Sequence, residues 1–124
     1  KGLVLASLGR TVGDYRRIDI PEPEIGADRI AGVVLRVDRF GNCITNIDRR
    51  HFEKVAQGGM VTITAGPHEV PRLVSTYDEA QGPEPCALFG STDHLEVAVH
   101  ADSAAKRLGL VRGSPVIVTR SPTA

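Results

Sequence analysis

The feature that most constrains this chain is a change of periodicity at Ile30. From there on, apolar residues fall in short runs, each ended by glycine, proline or a cluster of small polar residues. Val33, Leu35 and Val37 alternate with Val34, Arg36 and Asp38, the period-two pattern of a strand with one face in a core. Phe40-Gly41-Asn42 interrupts it and Cys43 to Ile47 resumes it, which predicts two strands meeting at a tight corner. Further strands are expected over Met60 to Thr64, Val70 to Tyr77, Cys86 to Phe89, Leu95 to Val99 and Val116 to Val118, with Pro71 marking an edge or a bulge. Asp48 is a good N-cap for a helix from Arg49 to Ala56 closed by Gly58-Gly59. Ser103 is placed to cap a second, Ala104 to Leu108, that ends at Gly109. About seven short strands with two short helices favour a mainly β fold, a closed or partly open barrel, or failing that a sandwich.

Upstream of Ile30 the pattern differs. Lys1 to Leu8 is apolar and Gly9 suits a helix end, whereas Thr11 to Asp28 is punctuated by Gly13, Pro21, Pro23 and Gly26 and keeps no period. Ile20-Pro21-Glu22-Pro23 is expected to be extended, because proline fixes φ and biases the residue before it. The expected organisation is therefore residues 1–29 as the end of an upstream domain plus a linker, and residues 30–124 as a barrel domain. A start without methionine, in what resembles mid-helix, fits a piece of a longer chain.

Charge and aromatic content narrow the function classes. Fifteen basic and fifteen acidic residues cancel, so the surplus of Lys and Arg that a phosphate-backbone binder needs is missing. Three Phe, two Tyr and no Trp leave little for base stacking, and no nucleic-acid partner is expected. No apolar run approaches the roughly 18 residues of a spanning helix, and no secretory start is visible, so a cytoplasmic protein without membrane contact is expected. Cys43 and Cys86 are the only cysteines and are read as reduced, semi-buried thiols. His51, His68 and His94 lack ligand spacing, and no metal is expected.

Two segments carry chemistry. In Val37 to Ile47, Asp38, Asn42 and Asn46 occupy positions where a strand prefers apolar residues, and a buried Asn needs partners. A carboxylate, a ring and a two-sided amide within five residues suit a flat heterocycle joined to a cation. The competing account is an Asx-type turn in which Asp38 and Asn42 bond only local backbone. In Phe89 to Ala101, the hydroxyls of Ser91 and Thr92 beside free turn amides suit a carboxylate, or else merely form a polar hairpin turn. Glu96, among apolar neighbours, is expected to point outward.

Asp38-Arg39-Phe40-Gly41-Asn42 followed by Thr45-Asn46-Ile47, then Ser75-Thr76-Tyr77, Gly90-Ser91 with Leu95 to Val99, Ser103-Ala104-Ala105 and Leu108-Gly109-Leu110 resemble, in order, the carboxy-terminal domain of a known family. It is the family of the fluorinase, the chlorinase and the S-adenosylmethionine (SAM) hydroxide adenosyltransferases, and the resemblance runs from about Ile30 to Val118. It implies a preceding α/β/α domain, a homotrimer, and a SAM site between one subunit's upstream domain and its neighbour's barrel. By that resemblance Asp38 takes the methionine ammonium, Asn42 the adenine edge, and Phe40 and Tyr77 the adenine face. Ser91 and Thr92 bind the methionine carboxylate, and the backbone at Ala101 meets the adenine amino group. These roles match what each group can donate or accept. Two positions depart from the family: His100 replaces an Asn, and Asp93 replaces a Gly beside the carboxylate site, where it would repel an anion.

The implied reaction is displacement at C5′ of SAM by water or hydroxide, giving adenosine and methionine, with SAM as substrate and no cofactor. Positioning and desolvation would carry it, and the catalytic Asp-Arg-His set belongs to the upstream domain, so this chain supplies no catalytic residue. A halogenase homologue, a non-catalytic oligomerising barrel with a decayed pocket, and a small nucleic-acid-binding barrel are the alternatives.

Overall fold

The computed structural model describes residues 21–121; the expectation for residues 1–20 lies outside them. Nine strands and two helices follow one another: β1 (Glu24–Ile25), β2 (Arg29–Val37), β3 (Cys43–Asp48), α1 (Arg49–Ala56), β4 (Val61–Ala65), β5 (His68–Val70), β6 (Arg72–Leu73), a 3-10 turn (Tyr77–Ala80), β7 (Cys86–Phe89), β8 (His94–Ala98), α2 (Ala104–Leu108) and β9 (Pro115–Arg120). The main sheet runs β5–β4–β9–β2–β3–β8–β7–β6, with β1 added beside β2. Among the described residues only β6 and β7 pair in parallel. The first and last strands of that order, β5 and β6, are consecutive in the chain and separated by Pro71 alone, so the sheet curls into a nearly closed barrel.

Proline decides that seam. It cannot donate to a ladder, so the stretch expected as one strand from Val70 to Tyr77 divides at Pro71. Each half then pairs with a different end of the sheet, and Tyr77 leaves the strand for the 3-10 turn. The two-residue β1 and β6 raise the strand count above the expected seven.

The inward face of β2 is also not the one expected. Ile30, Gly32 and Val34 are buried, whereas Val37 is exposed, and the β2–β3 register shifts between Val34 and Arg36. Three consecutive apolar residues, Val33-Val34-Leu35, satisfy either parity, and Gly32 hides the true one because it has no side chain. It has none because the site is occupied: a Cβ on Gly32 would overlap Asn46 Oδ1 and the Ile47 side chain.

Inside the barrel Ile30, Val34, Ile47, Leu95, Val97, Val116 and Val118 form the core, and Phe52 and Val55 of α1 pack into it. Phe52 meets Phe89 edge to face at 5.1 Å. A second, small cluster, Cys86, Leu88 and Ala98, lies on the other face of β7 and β8 against Val74. Both helices start as their sequences imply. Asp48 Oδ1 accepts from His51 N at 2.8 Å and Ser103 Oγ from Lys106 N at 3.1 Å. Gln57 and Gly109 end them in the left-handed region. Among the described residues no helix is long and apolar enough to cross a membrane.

Candidate functional site

The corner between β2 and β3 is built around Asp38. Its Oδ1 accepts from the backbone N–H of Phe40 (2.9 Å) and of Asn42 (3.0 Å), and its Oδ2 from Asn42 Nδ2 (3.3 Å). Gly41 turns the chain at φ 87°, and a Cβ there would strike Ser103, so this position admits no side chain. The Gly41 carbonyl also accepts from Ala105 N at 2.9 Å, which fastens the corner to the first turn of α2. The local Asx-type bonding is thus present, and it coexists with an open face. Phe40 is 65% exposed, and Asn42 makes no other side-chain hydrogen bond among the described residues.

That open face is a cleft of about 390 Å³, within the range of small-molecule sites. Phe40 and Asn42 line it from the corner and Tyr77 from the 3-10 turn. Ala98, Val99, His100, Ala101 and Asp102 line it from the end of β8. Ala101 holds a positive φ of 53° in the turn closed by the Val99–Asp102 bridge. Such a conformation costs a non-glycine residue free energy and persists only where the surroundings impose it. Phe40, Asn42, Tyr77 and Ala101 are therefore brought together, with Asp38 directly behind Asn42.

Ser91 and Thr92 are not in that lining. In the β3–β8 ladder Cys43 lies opposite Val97 and Asp48 opposite His94, so the Ser91-Thr92 turn stands at the far end of the strand that leads to Ala101. Both residues are exposed. The link between the two ends runs through a residue that sequence reasoning misplaced. Glu96 does not point to solvent; it is 7% exposed and accepts a 2.5 Å hydrogen bond from the Tyr77 hydroxyl. Its carboxylate lies where a Cβ on Gly90 would be, one residue before Ser91. A signal was available: a strand exposed on Glu96's side would carry a second polar residue at Ala98, and it does not. Burial, then the Glu96 bond, pushes the Tyr77 phenol above the usual tyrosine range.

Asp93 holds φ 64° at the hairpin turn, and its Oδ1 accepts from Arg49 Nε at 2.7 Å. The charge expected to repel an anion near Ser91 is thus partnered by a guanidinium. His100 lines the cleft. Asn46 is different again: its Oδ1 accepts from Val33 N (2.9 Å) and its Nδ2 donates to the Pro21 carbonyl (2.8 Å). It is a structural peg. Both cysteines are unpaired and fully buried rather than half-buried. Burial, with the Asp38 charge adding to it, pushes the Cys43 thiol up to about 11, and burial also raises Cys86 against the opposing pull of Arg72.

Comparison with known proteins gives this geometry a context. Over 85 residues, 68% of this chain, the sequence is 42% identical to a protein named (R)-S-adenosyl-L-methionine hydrolase from Thermus thermophilus, of which it covers 30%. A conserved hypothetical protein from the same species superposes with a TM-score of 0.61 at 35% identity, over 84% of this chain and 40% of that one. An uncharacterized conserved protein from Thermotoga maritima shares the fold, with a TM-score of 0.73 at 24% identity over 91% of this chain and 42% of that one. The chain thus spans less than half the length of each of these relatives. Residues 32–117 match the family described as the SAM hydroxide adenosyltransferase C-terminal domain, and the chain belongs to that family.

Proposed function

We propose that this domain is the substrate-binding and trimer-forming part of an enzyme that cleaves SAM at C5′ with water or hydroxide, yielding adenosine and methionine. The observation that carries the reading is the shared cleft lined by Phe40, Asn42, Tyr77 and Ala101, which come from three separate stretches of the sequence. Phe40 and Tyr77 offer ring faces to adenine, Asn42 an amide to its edge, and the Ala101 backbone a partner for its amino group. Asp38 sets the corner and places a negative charge near the methionine ammonium. The exposed hydroxyls of Ser91 and Thr92 take the methionine carboxylate.

In the reaction the oxygen nucleophile bonds to C5′ as the C5′–sulfur bond breaks. The electron pair passes to sulfur and the sulfonium becomes the neutral thioether of methionine; hydroxide keeps its proton as the 5′-hydroxyl, whereas an attacking water passes one proton to a base outside this domain. The barrel contributes binding and exclusion of water, and an upstream α/β/α domain, contributed across a homotrimer interface, contributes the catalytic groups. SAM is the substrate and no cofactor takes part; the neutral charge and the free thiols fit a cytoplasmic setting without nucleic acid.

The test uses the protein in the longest form its gene encodes. Calorimetry is expected to show binding of SAM and of adenosine, and chromatography to show both products formed without halide. Products that require chloride or fluoride would replace the hydrolase by a halogenase. Absence of binding would leave an oligomerising barrel with a decayed pocket.

A further inference from the structure

We propose that Glu96 is a positioning residue for this site: by accepting the Tyr77 hydroxyl it fixes that ring as a wall of the cleft. The inference rests on the reading of the cleft as a nucleoside site. The burial of Glu96 is anomalous for a carboxylate. Glu96 projects from the outer face of β8, where its cross-strand neighbours are Ile44 and Leu88 and its strand neighbour is Ala98, all buried. Among the described residues no Lys, Arg or His pairs with it, and the hydroxyl of Tyr77 is the one side-chain donor it meets. A carboxylate withdrawn from water without a cation is costly, so its retention calls for a role that an apolar residue could not fill.

Tyr77 supplies that role. It opens a 3-10 turn whose N-cap, Thr76, makes no side-chain capping bond, and the residue is 47% exposed. The segment carrying it is tied to the barrel by Val74 N to the Ala87 carbonyl at 2.9 Å. Beyond that it bonds mostly to itself, through Ser75 N to Glu79 Oε1 and Arg72 to the Gln81 carbonyl, each at 2.7 Å. The ring of a half-exposed residue on such a segment can swing over the cleft or away from it. The 2.5 Å bond to a carboxylate held in a rigid strand removes that freedom, so the ring is ordered before a nucleoside arrives. Gly90 completes the arrangement, since any side chain there would displace the carboxylate.

The experiment compares wild type with Tyr77→Phe, Glu96→Gln, Glu96→Ala and the double variant Glu96→Ala/Tyr77→Phe, in the longest form the gene encodes. Calorimetry with adenosine and with methionine is combined with titration of the tyrosine absorbance, using Tyr77→Phe to assign the Tyr77 signal. The expected result is a loss of adenosine affinity of about tenfold in Tyr77→Phe and in Glu96→Ala, with no further loss in the double variant. Glu96→Gln, whose amide oxygen still accepts the bond, should stay within about threefold. Methionine affinity should not change, which separates positioning of the ring from general loosening. The Tyr77 phenol should titrate at lower pH in Glu96→Ala, an observation available without ligand; where Glu96→Ala fails to fold, Glu96→Gln and Tyr77→Phe carry the comparison. Wild-type adenosine affinity in Glu96→Ala, or an unmoved phenol titration, overturns the proposal. A wild type that binds neither adenosine nor SAM overturns instead the nucleoside reading beneath it.

Discussion

Asn42 and Asn46 sit four residues apart in one corner motif, are both buried, and do opposite things. Asn46 spends its carbonyl on Val33 N and its amide nitrogen on the Pro21 carbonyl, bridging the place where β1 gives way to β3 along the edge of β2. Among the described residues the Asn42 side chain makes one 3.3 Å bond, to Asp38, and it lines a cleft. Burial and residue type are the same; engagement of the amide oxygen as well as the nitrogen is what separates the peg from the candidate recognition group. Both polar atoms of Asn46 are engaged by the protein, whereas among the described residues the Asn42 Oδ1 has no partner and is free to serve a ligand.

The contrast can be broken most forcefully at Asn46. Asn46→Leu orphans the Val33 N–H and the Pro21 carbonyl, and about 3 kcal/mol of stability should be lost, read as a lower urea midpoint. A loss below about 1 kcal/mol would show that the peg is not structural. Asn42→Ala should do the reverse, weakening adenosine binding by about 2 kcal/mol in calorimetry while stability falls by less than about 1 kcal/mol. Equal effects of the two substitutions on stability would erase the distinction.

Cys43, between them, belongs to the closed side. Its folded thiol sits near 11 against an ordinary 9.0, so the native state holds a proton that the unfolded chain releases. The resulting stabilisation is complete below the unfolded value and is lost as pH rises through the folded one. Between about pH 8 and about pH 10 urea titrations should show roughly 1 kcal/mol of loss from this thiol, reduced in Cys43→Ala, with Cys86 and Tyr77 sustaining the remainder. An unchanged slope in Cys43→Ala would assign the loss elsewhere. The smallest effect is expected at the hairpin. Arg49→Gln breaks an exposed ion pair and should change thermal stability by less than about 1 kcal/mol. By leaving the Asp93 charge unpartnered beside Ser91, however, it should weaken methionine binding; unchanged binding would remove that turn from the site.

Much of this is legible in the order of residues. Asp48 and Ser103 declare their helices because a side chain that caps a helix end is a local event, readable from neighbours alone. The barrel follows from strand length and turn spacing. What fails to show are matters of parity and long-range pairing. Val33-Val34-Leu35 suits either face of β2, and only the demand of Asn46 for space over Gly32 settles it. Glu96 looks solvent-facing because strands usually alternate, and its partner Tyr77 is nineteen residues away on a segment with no period of its own. The corner motif can name Asp38, Phe40 and Asn42. It cannot tell that the Asx turn and an open cleft share the same atoms.

Pro71 has a consequence for how the cylinder is held shut. The ring's two terminal strands meet through one residue of continuous chain, so the last gap is spanned by covalent bonds and not by a ladder. Because proline confines its own φ to a narrow well, that joint is stiff, and the circumference cannot widen by strands slipping past one another there. Strand number and stagger fix the girth of the barrel, and a single backbone link closes it.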